Sequence, residues 1–320
     1  MGADDNRGMT TPIQIDGGVP LTHWGVIRAH GADASSFLQS QLTNDVTLLG
    51  QTQARLAGFC SAKGRLQASF TLWKTAPDEV LLACAASVLP ATLKRLSMFV
   101  LRARCKLSDA SADVPLQGIA GSTARERLGD QSVWEVRASQ GMTLLRLPDA
   151  AGLPRALLPG PVSSDTLPPP ITLDAWRWLE VRSGVPTIEA ATAEQFVPQM
   201  LNYELVGGVD FSKGCYPGQE VVARSQYRGT IKRRMFLFDC DDALAAAGQE
   251  VFHSADAGQP AGMVVNAAPL PGGSGASALV EVKLAALSSG SLHLGAAGGP
   301  VLRRAELPYA VPLDVAAATA

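Results

Sequence analysis

Lys213-Gly214-Cys215-Tyr216-Pro217-Gly218-Gln219-Glu220, running on into Val221-Val222-Ala223-Arg224, is the stretch from which this chain is best read. It sets an ammonium, a thiol, a phenol, an amide and a carboxylate around two glycines. Gly214 and Gly218 permit backbone angles or close approaches that a Cβ would block, and Pro217 fixes one turn position between them. Few packing roles require that mixture; a shaped polar loop does. Cys215 can be a nucleophile, a metal or cluster ligand, a redox thiol or a small buried residue. Its neighbours argue for an exposed, functional thiol, whose pKa Lys213 would lower on close approach. Downstream, Arg224-Ser-Gln-Tyr-Arg228-Gly-Thr-Ile-Lys232-Arg233-Arg234 carries five cations and no acid. Such a run serves as a solvated face, as a holder of a carboxylated or phosphorylated ligand, or as a contact to an RNA backbone.

Working outward, a strand is expected over Leu21–Ala29, followed by Gly31-Ala-Asp33 and an amphipathic helix carrying Phe37, Leu38 and Leu42. Ser36 and Gln39 have the spacing of a capping box. Strand-like runs at Ala54–Cys60 and Arg65–Leu72 flank Ser61-Ala-Lys-Gly64, where Gly64 suits a hairpin turn. A strand at Val80–Ala85, a helix at Leu89–Met98 and a strand at Leu101–Leu107 follow. Leu167-Pro-Pro-Pro170 reads as a linker. Beyond it Asp174 can cap a helix through Trp176, Leu179 and Val181 that stops at Gly184. After Arg234, short strands at Met235–Phe238, Glu250–His253, Gly262–Val265, Ala278–Val282 and Leu292–Leu294 alternate with turn residues, the pattern of a small barrel or sandwich. The order of elements predicts an α+β body with a C-terminal β domain.

With 47% hydrophobic and 18% charged residues and a net charge of −2, the chain is an ordinary globular protein with no global attraction to nucleic acid. No apolar run has membrane-spanning length, and the acidic start Met1-Gly-Ala-Asp-Asp-Asn-Arg7 is not that of a secretory signal. The five scattered cysteines fit reduced thiols, so a cytoplasmic location without membrane contact is expected. Cys60, beside the Lys63-Gly64 turn, is the least settled of the other four. The histidines at 23, 30, 253 and 293 have no metal-ligand spacing, and no metal site is expected. Phosphate-loop, nucleophile-elbow and dinucleotide fingerprints are missing. On sequence alone all five tryptophans read as core.

Taken together, Lys213-Gly-Cys-Tyr-x-Gly-Gln-Glu220, Ala223-Arg224 and Arg228-Gly229 resemble the signature of the YgfZ family, folate-binding proteins related to the glycine-cleavage T protein. Gly31-Ala-Asp33 through Phe37-Leu-Gln-Ser-Gln-Leu-Thr-Asn-Asp45 is similar to that family's N-terminal helix, and Ala62-Lys-Gly64 to its hairpin. Phe196-Val-Pro-Gln199, Gly207-Gly208 and Leu307-Pro-Tyr309 match as well, so the resemblance covers roughly residues 15–312. It implies a multi-domain ring of T-protein-like α+β domains with a small C-terminal β-barrel. The expected division is a flexible tail at 1–11, a folate-binding region at 12–230 with a smaller subdomain near 113–170, a barrel at 231–313 and a tail at 314–320. It further implies tetrahydrofolate or a related folate as cofactor, with Trp24 and Trp176 as stacking surfaces for the flat pteridine. Lys213, Tyr216, Gln219 and Glu220 would form one wall of the folate opening, with Arg224 and Arg228 on the glutamate tail and the Cys215 thiol facing the same space. The role implied is an accessory protein for assembly or repair of iron–sulfur enzymes, tRNA-modifying ones included, with those enzymes or assembly proteins as partners and tRNA contact through Arg224–Arg234. Two alternatives stand beside it: a folate-dependent aminomethyltransferase-type one-carbon transferase, and an RNA- or protein-binding module regulated by folate. Against the former, Gly64-Arg-Leu-Gln67-Ala68 holds no carboxylate where the related transferases keep paired aspartates, a group needed for proton transfer at a folate nitrogen.

Overall fold

The computed structural model describes residues 14–139, 141–162, 168–228, 231–241 and 244–312. The tails expected at 1–11 and 314–320, and Gly229, lie outside these residues. A short strand β1 (Gly17–Pro20) precedes β2 (Trp24–His30). One strand was expected across Leu21–Ala29, but the Trp24 N–H donates to the Leu21 carbonyl at 3.1 Å and closes a turn there. That turn sends the two strands to different sheets.

The first sheet takes β2 at one of its inner positions. Helix α1 (Ala34–Gln39), the hairpin of β3 (Ala54–Cys60) and β4 (Leu66–Ala76), then β5 (Glu79–Ala85), α2 (Leu89–Ser97) and β6 (Lys106–Asp109) complete it. Its antiparallel order is β3-β4-β5-β2-β6. The hairpin turns at Gly64, with φ of 70°, as its sequence predicts. The strand expected from Leu101 starts only at Lys106. The capping box at the start of α1 does not form: the Ser36 hydroxyl donates to the Asp33 carbonyl, and the Gln39 amide reaches instead to Asp45 and to the Val46 N–H.

The second sheet comprises β7 (Leu116–Ala120), β8 (Val136–Ser139), β9 (Met142–Ala150) and β10 (Leu153–Pro159), with α3 (Ser122–Leu128) between β7 and β8. Its order, β1-β7-β10-β9-β8, gives the subdomain expected near 113–170 an outer strand from the start of the chain. Pro168–Pro170 does more than link. The Gly18 N–H donates to the Pro169 carbonyl at 2.9 Å, and a Cβ on Gly17 would stand 2.1 Å from that oxygen.

Helix α4 (Leu173–Arg182) is capped by Thr172, whose hydroxyl accepts from the Ala175 N–H. Asp174, expected as the cap, sits in the first turn, where the helix dipole favours an acid. Trp176 of α4 lies against the second sheet, where a Cβ on Gly118 would meet the indole at 2.6 Å. Trp178 donates to Ser277 at 3.0 Å.

After α5 (Gln219–Tyr227), β11 (Arg233–Cys240), β12 (Glu250–His253), β13 (Gly262–Pro269), β14 (Ala276–Lys283), β15 (Leu292–Leu294) and β16 (Val301–Ala305) close into a barrel. The sixth strand was not foreseen, because only Leu302 of Val-Leu-Arg-Arg-Ala is buried and little alternation remains to read. The expected α+β class with a C-terminal barrel holds. One apolar core runs through all three sheets and includes Val26, Trp73, Leu145, Trp176, Met235 and Val265. Among the described residues no helix is long and apolar enough to cross a membrane.

Candidate functional site

The motif loop packs on the β3–β4 hairpin, and its glycines show how. Gly218, with φ of 79°, would place a Cβ 2.4 Å from the Ser61 carbonyl and 2.6 Å from the Gly64 nitrogen. Gly64 in turn faces Val221, so turn and loop interlock back to back. Lys213 is buried, and its ammonium donates to the carbonyls of Gln39 and Leu42. Burial lowers its pKa to about 8, against the pull of Asp45 and Asp210. The Tyr216 ring lies 4.9 Å from that ammonium, and burial holds its phenol well above the usual range. Lys213 and Tyr216 are therefore fastenings for the loop, whereas Cys215 is exposed. Gln219 begins α5, and Glu220 pairs with Arg224 one turn on, both exposed.

The basic run is largely neutralised. Arg233 pairs with Glu281, and buried Arg234 with Glu204 and the Gln199 carbonyl. Arg228 and Lys232 remain exposed and make no ion pair among the described residues. Other family-like motifs turn out to be mutual fastenings too. Thr43 donates to the Gly208 carbonyl at 2.6 Å, and Asn44 to that of Gly207 at 2.7 Å.

A cavity of about 450 Å³ opens where the first sheet, α4 and the barrel meet. Its chemistry centres on Glu180. One carboxylate oxygen accepts from the indole N–H of Trp24 and of Trp176, both at 2.8 Å, and the other accepts from His23 Nε2 at 2.8 Å. The Glu180 side chain is nonetheless 21% exposed, toward the cavity. Burial opposes its charge, but the His23 hydrogen bond, the nearby charges of His23 and Arg155, and the Trp176 N–H hold its carboxyl below the usual range. Arg155 itself lies over the Trp176 ring at 5.5 Å and donates to the Pro148 carbonyl; burial lowers its pKa to about 10. From the barrel, a register shift in β13 accompanies Asn266, which donates to Glu189 Oε1 and the Thr187 carbonyl beside the cavity.

Of the residues expected to hold folate, only Trp24 lines this cavity. Trp176 is completely buried, so it has no open face for stacking; its part is to orient Glu180. Cys215, Lys213, Tyr216, Gln219, Glu220, Arg224 and Arg228 are not among the residues that line it. Cys60 is core, its thiol pushed up to about 12 by burial. At the hairpin, the Gln67 amide donates to Glu194 at 2.7 Å. Sequence reading passed over His23, Arg177, Glu180 and Asn266. The available signal was Glu180 itself, an acid four residues after Trp176 and so on the same side of the helix.

Residues 17–145 match the family model described as the GCVT N-terminal domain. The chain is 32% identical over 241 residues to tRNA-modifying protein YgfZ of Photorhabdus laumondii, covering 71% of each chain. It is 31% identical over 310 residues to the protein of the same name from Sodalis glossinidius, covering 92% of this chain and 93% of that one. In fold it is similar to glycine cleavage system aminomethyltransferase T from Bartonella henselae, with a TM-score of 0.68 at 16% identity over 91% of this chain and 85% of that one.

Proposed function

The chain belongs to the YgfZ family, and we propose that it is a cytoplasmic, tetrahydrofolate-binding accessory protein for iron–sulfur enzymes, tRNA-modifying ones among them. The observation that carries the folate reading is Glu180, kept ionised at the cavity beside Trp24. A 2-amino-4-oxopteridine offers two adjacent N–H donors on one edge, which suit a carboxylate, and a flat ring, which suits an indole. Three donors already orient Glu180, and the acceptor position left on the oxygen that His23 holds can meet a ligand N–H without reorganising. His23 and Trp176 would hold the carboxylate, and Trp24 would give the ring its apolar wall. The bound folate would supply one-carbon or reducing chemistry. Cys215, on a separate exposed loop, would offer its thiol to a partner protein rather than to that ring.

The transferase alternative keeps one specific observation, the Glu194 carboxylate bound to Gln67 near the hairpin, where related transferases carry their own acid. The RNA-binding alternative is weakened by the pairing of Arg224, Arg233 and Arg234.

Titration with tetrahydrofolate is expected to quench tryptophan fluorescence. Glu180→Gln should weaken binding roughly 10- to 100-fold, the worth of a charged hydrogen bond. In cells lacking the protein, wild type should restore iron–sulfur enzyme activities better than this variant. Unchanged affinity in Glu180→Gln would remove the folate reading from this cavity.

A further inference from the structure

Besides the carboxylates of Glu180 and Glu189, the cavity is lined by a group of opposite charge. Arg177 lies one turn before Glu180 on α4 and lines the same cavity. It is exposed, as are Ala86, Ser87 and Ala246 on the lining, whereas Glu180 sits deeper with its three donors. Arg177 makes no ion pair or hydrogen bond among the described residues, in contrast to the arginines at 155, 182, 224, 233 and 234. A guanidinium with all its donors free beside a cavity is matched by a carboxylate.

We infer that Arg177 reads the anionic arm of the ligand, which lies with its donor-bearing ring at Glu180 and its carboxylate end at the exposed rim. The inference rests on the folate reading and sharpens it: the ligand class is a pterin carrying a glutamyl arm, not a tail-less pterin. It also moves the expected tail contact from Arg224 and Arg228 to Arg177. Because the rim is open, further glutamates on the arm would extend into solvent without a clash.

The test compares tetrahydrofolate with the tail-less 6-methyltetrahydropterin, titrated into the full chain by calorimetry. Wild type should prefer tetrahydrofolate by about tenfold or more, the worth of one charge-assisted contact. Added salt should shrink that preference. Arg177→Gln should abolish it while leaving the affinity for the tail-less pterin unchanged, and Arg177→Lys should keep part of it. Glu180→Gln should weaken both ligands alike. Equal binding of the two ligands by wild type, or an Arg177→Gln loss shared by both, would overturn the role of Arg177 and leave the folate reading standing. Failure of wild type to bind either ligand would overturn both.

Discussion

Burial opposes the charge on both Lys213 and Glu180, and their partners answer it differently. Glu180 has three hydrogen-bond donors and ends below the ordinary carboxylate range. Lys213 has two neutral carbonyls and ends at about 8, against roughly 10.4 for a solvated lysine. At neutral pH Lys213 is thus a cation held at some cost. As pH rises from about 8 toward 10, the folded chain has released that proton while the unfolded chain still binds it, so Lys213 contributes a rise of stability with pH in this window. Chemical denaturation across the window should show that rise in wild type relative to Lys213→Met. Parallel curves for the two proteins would mean that Lys213 titrates normally.

At the scale of elements, the glycines of the motif separate into two kinds. Gly218 is left-handed and its Cβ would overlap the hairpin backbone, whereas nothing lies within 4 Å of a Cβ on Gly214. Gly218→Ala should therefore cost about 2 kcal/mol or more, and Gly214→Ala no more than about 0.5 kcal/mol. Thermal melts of the two variants measure the contrast directly. Elements with strong local signals were legible in sequence: the Gly64 hairpin, α4 ending before Gly184, and five of the barrel strands. Less legible were features set by distant partners. The break between β1 and β2 depends on a turn at Leu21 and on two different sheets. The burial of Trp176 depends on the missing Cβ of Gly118, and the cavity is assembled from strand ends, α4, the Thr187–Glu189 segment and β13. Cys215 and its loop stood out because their chemistry is contiguous; Glu180 did not, because His23 and Trp24 lie far from it in sequence, and Arg177 did not, because only the fold sets it beside the same cavity.

For the whole molecule, the cavity exists only while the barrel stays seated against the first sheet and α4. The barrel is fastened at both ends of its sequence. After its last strand, the Tyr309 hydroxyl donates to the Gly184 carbonyl at 2.8 Å, and a Cβ on Gly184 would press on that ring. At its first strand, Arg234 enters the buried segment Gln199–Glu204, pairing with Glu204 while Asn202 donates to the Met235 carbonyl at 2.7 Å. Arg234 and Glu204 side chains are each only 5% exposed, so each depends on the other for its charge. Burial already raises the Glu204 carboxyl above the ordinary range. Removing only the arginine strands that carboxylate and should cost about 3–5 kcal/mol, whereas removing both charges together costs far less. Arg234→Met should accordingly lower stability steeply, and Arg234→Met combined with Glu204→Leu should recover most of the loss. If the double variant is no more stable than the single one, the two residues fasten the barrel through separate contacts, such as Arg234 to the Gln199 carbonyl, and their ion pair is incidental.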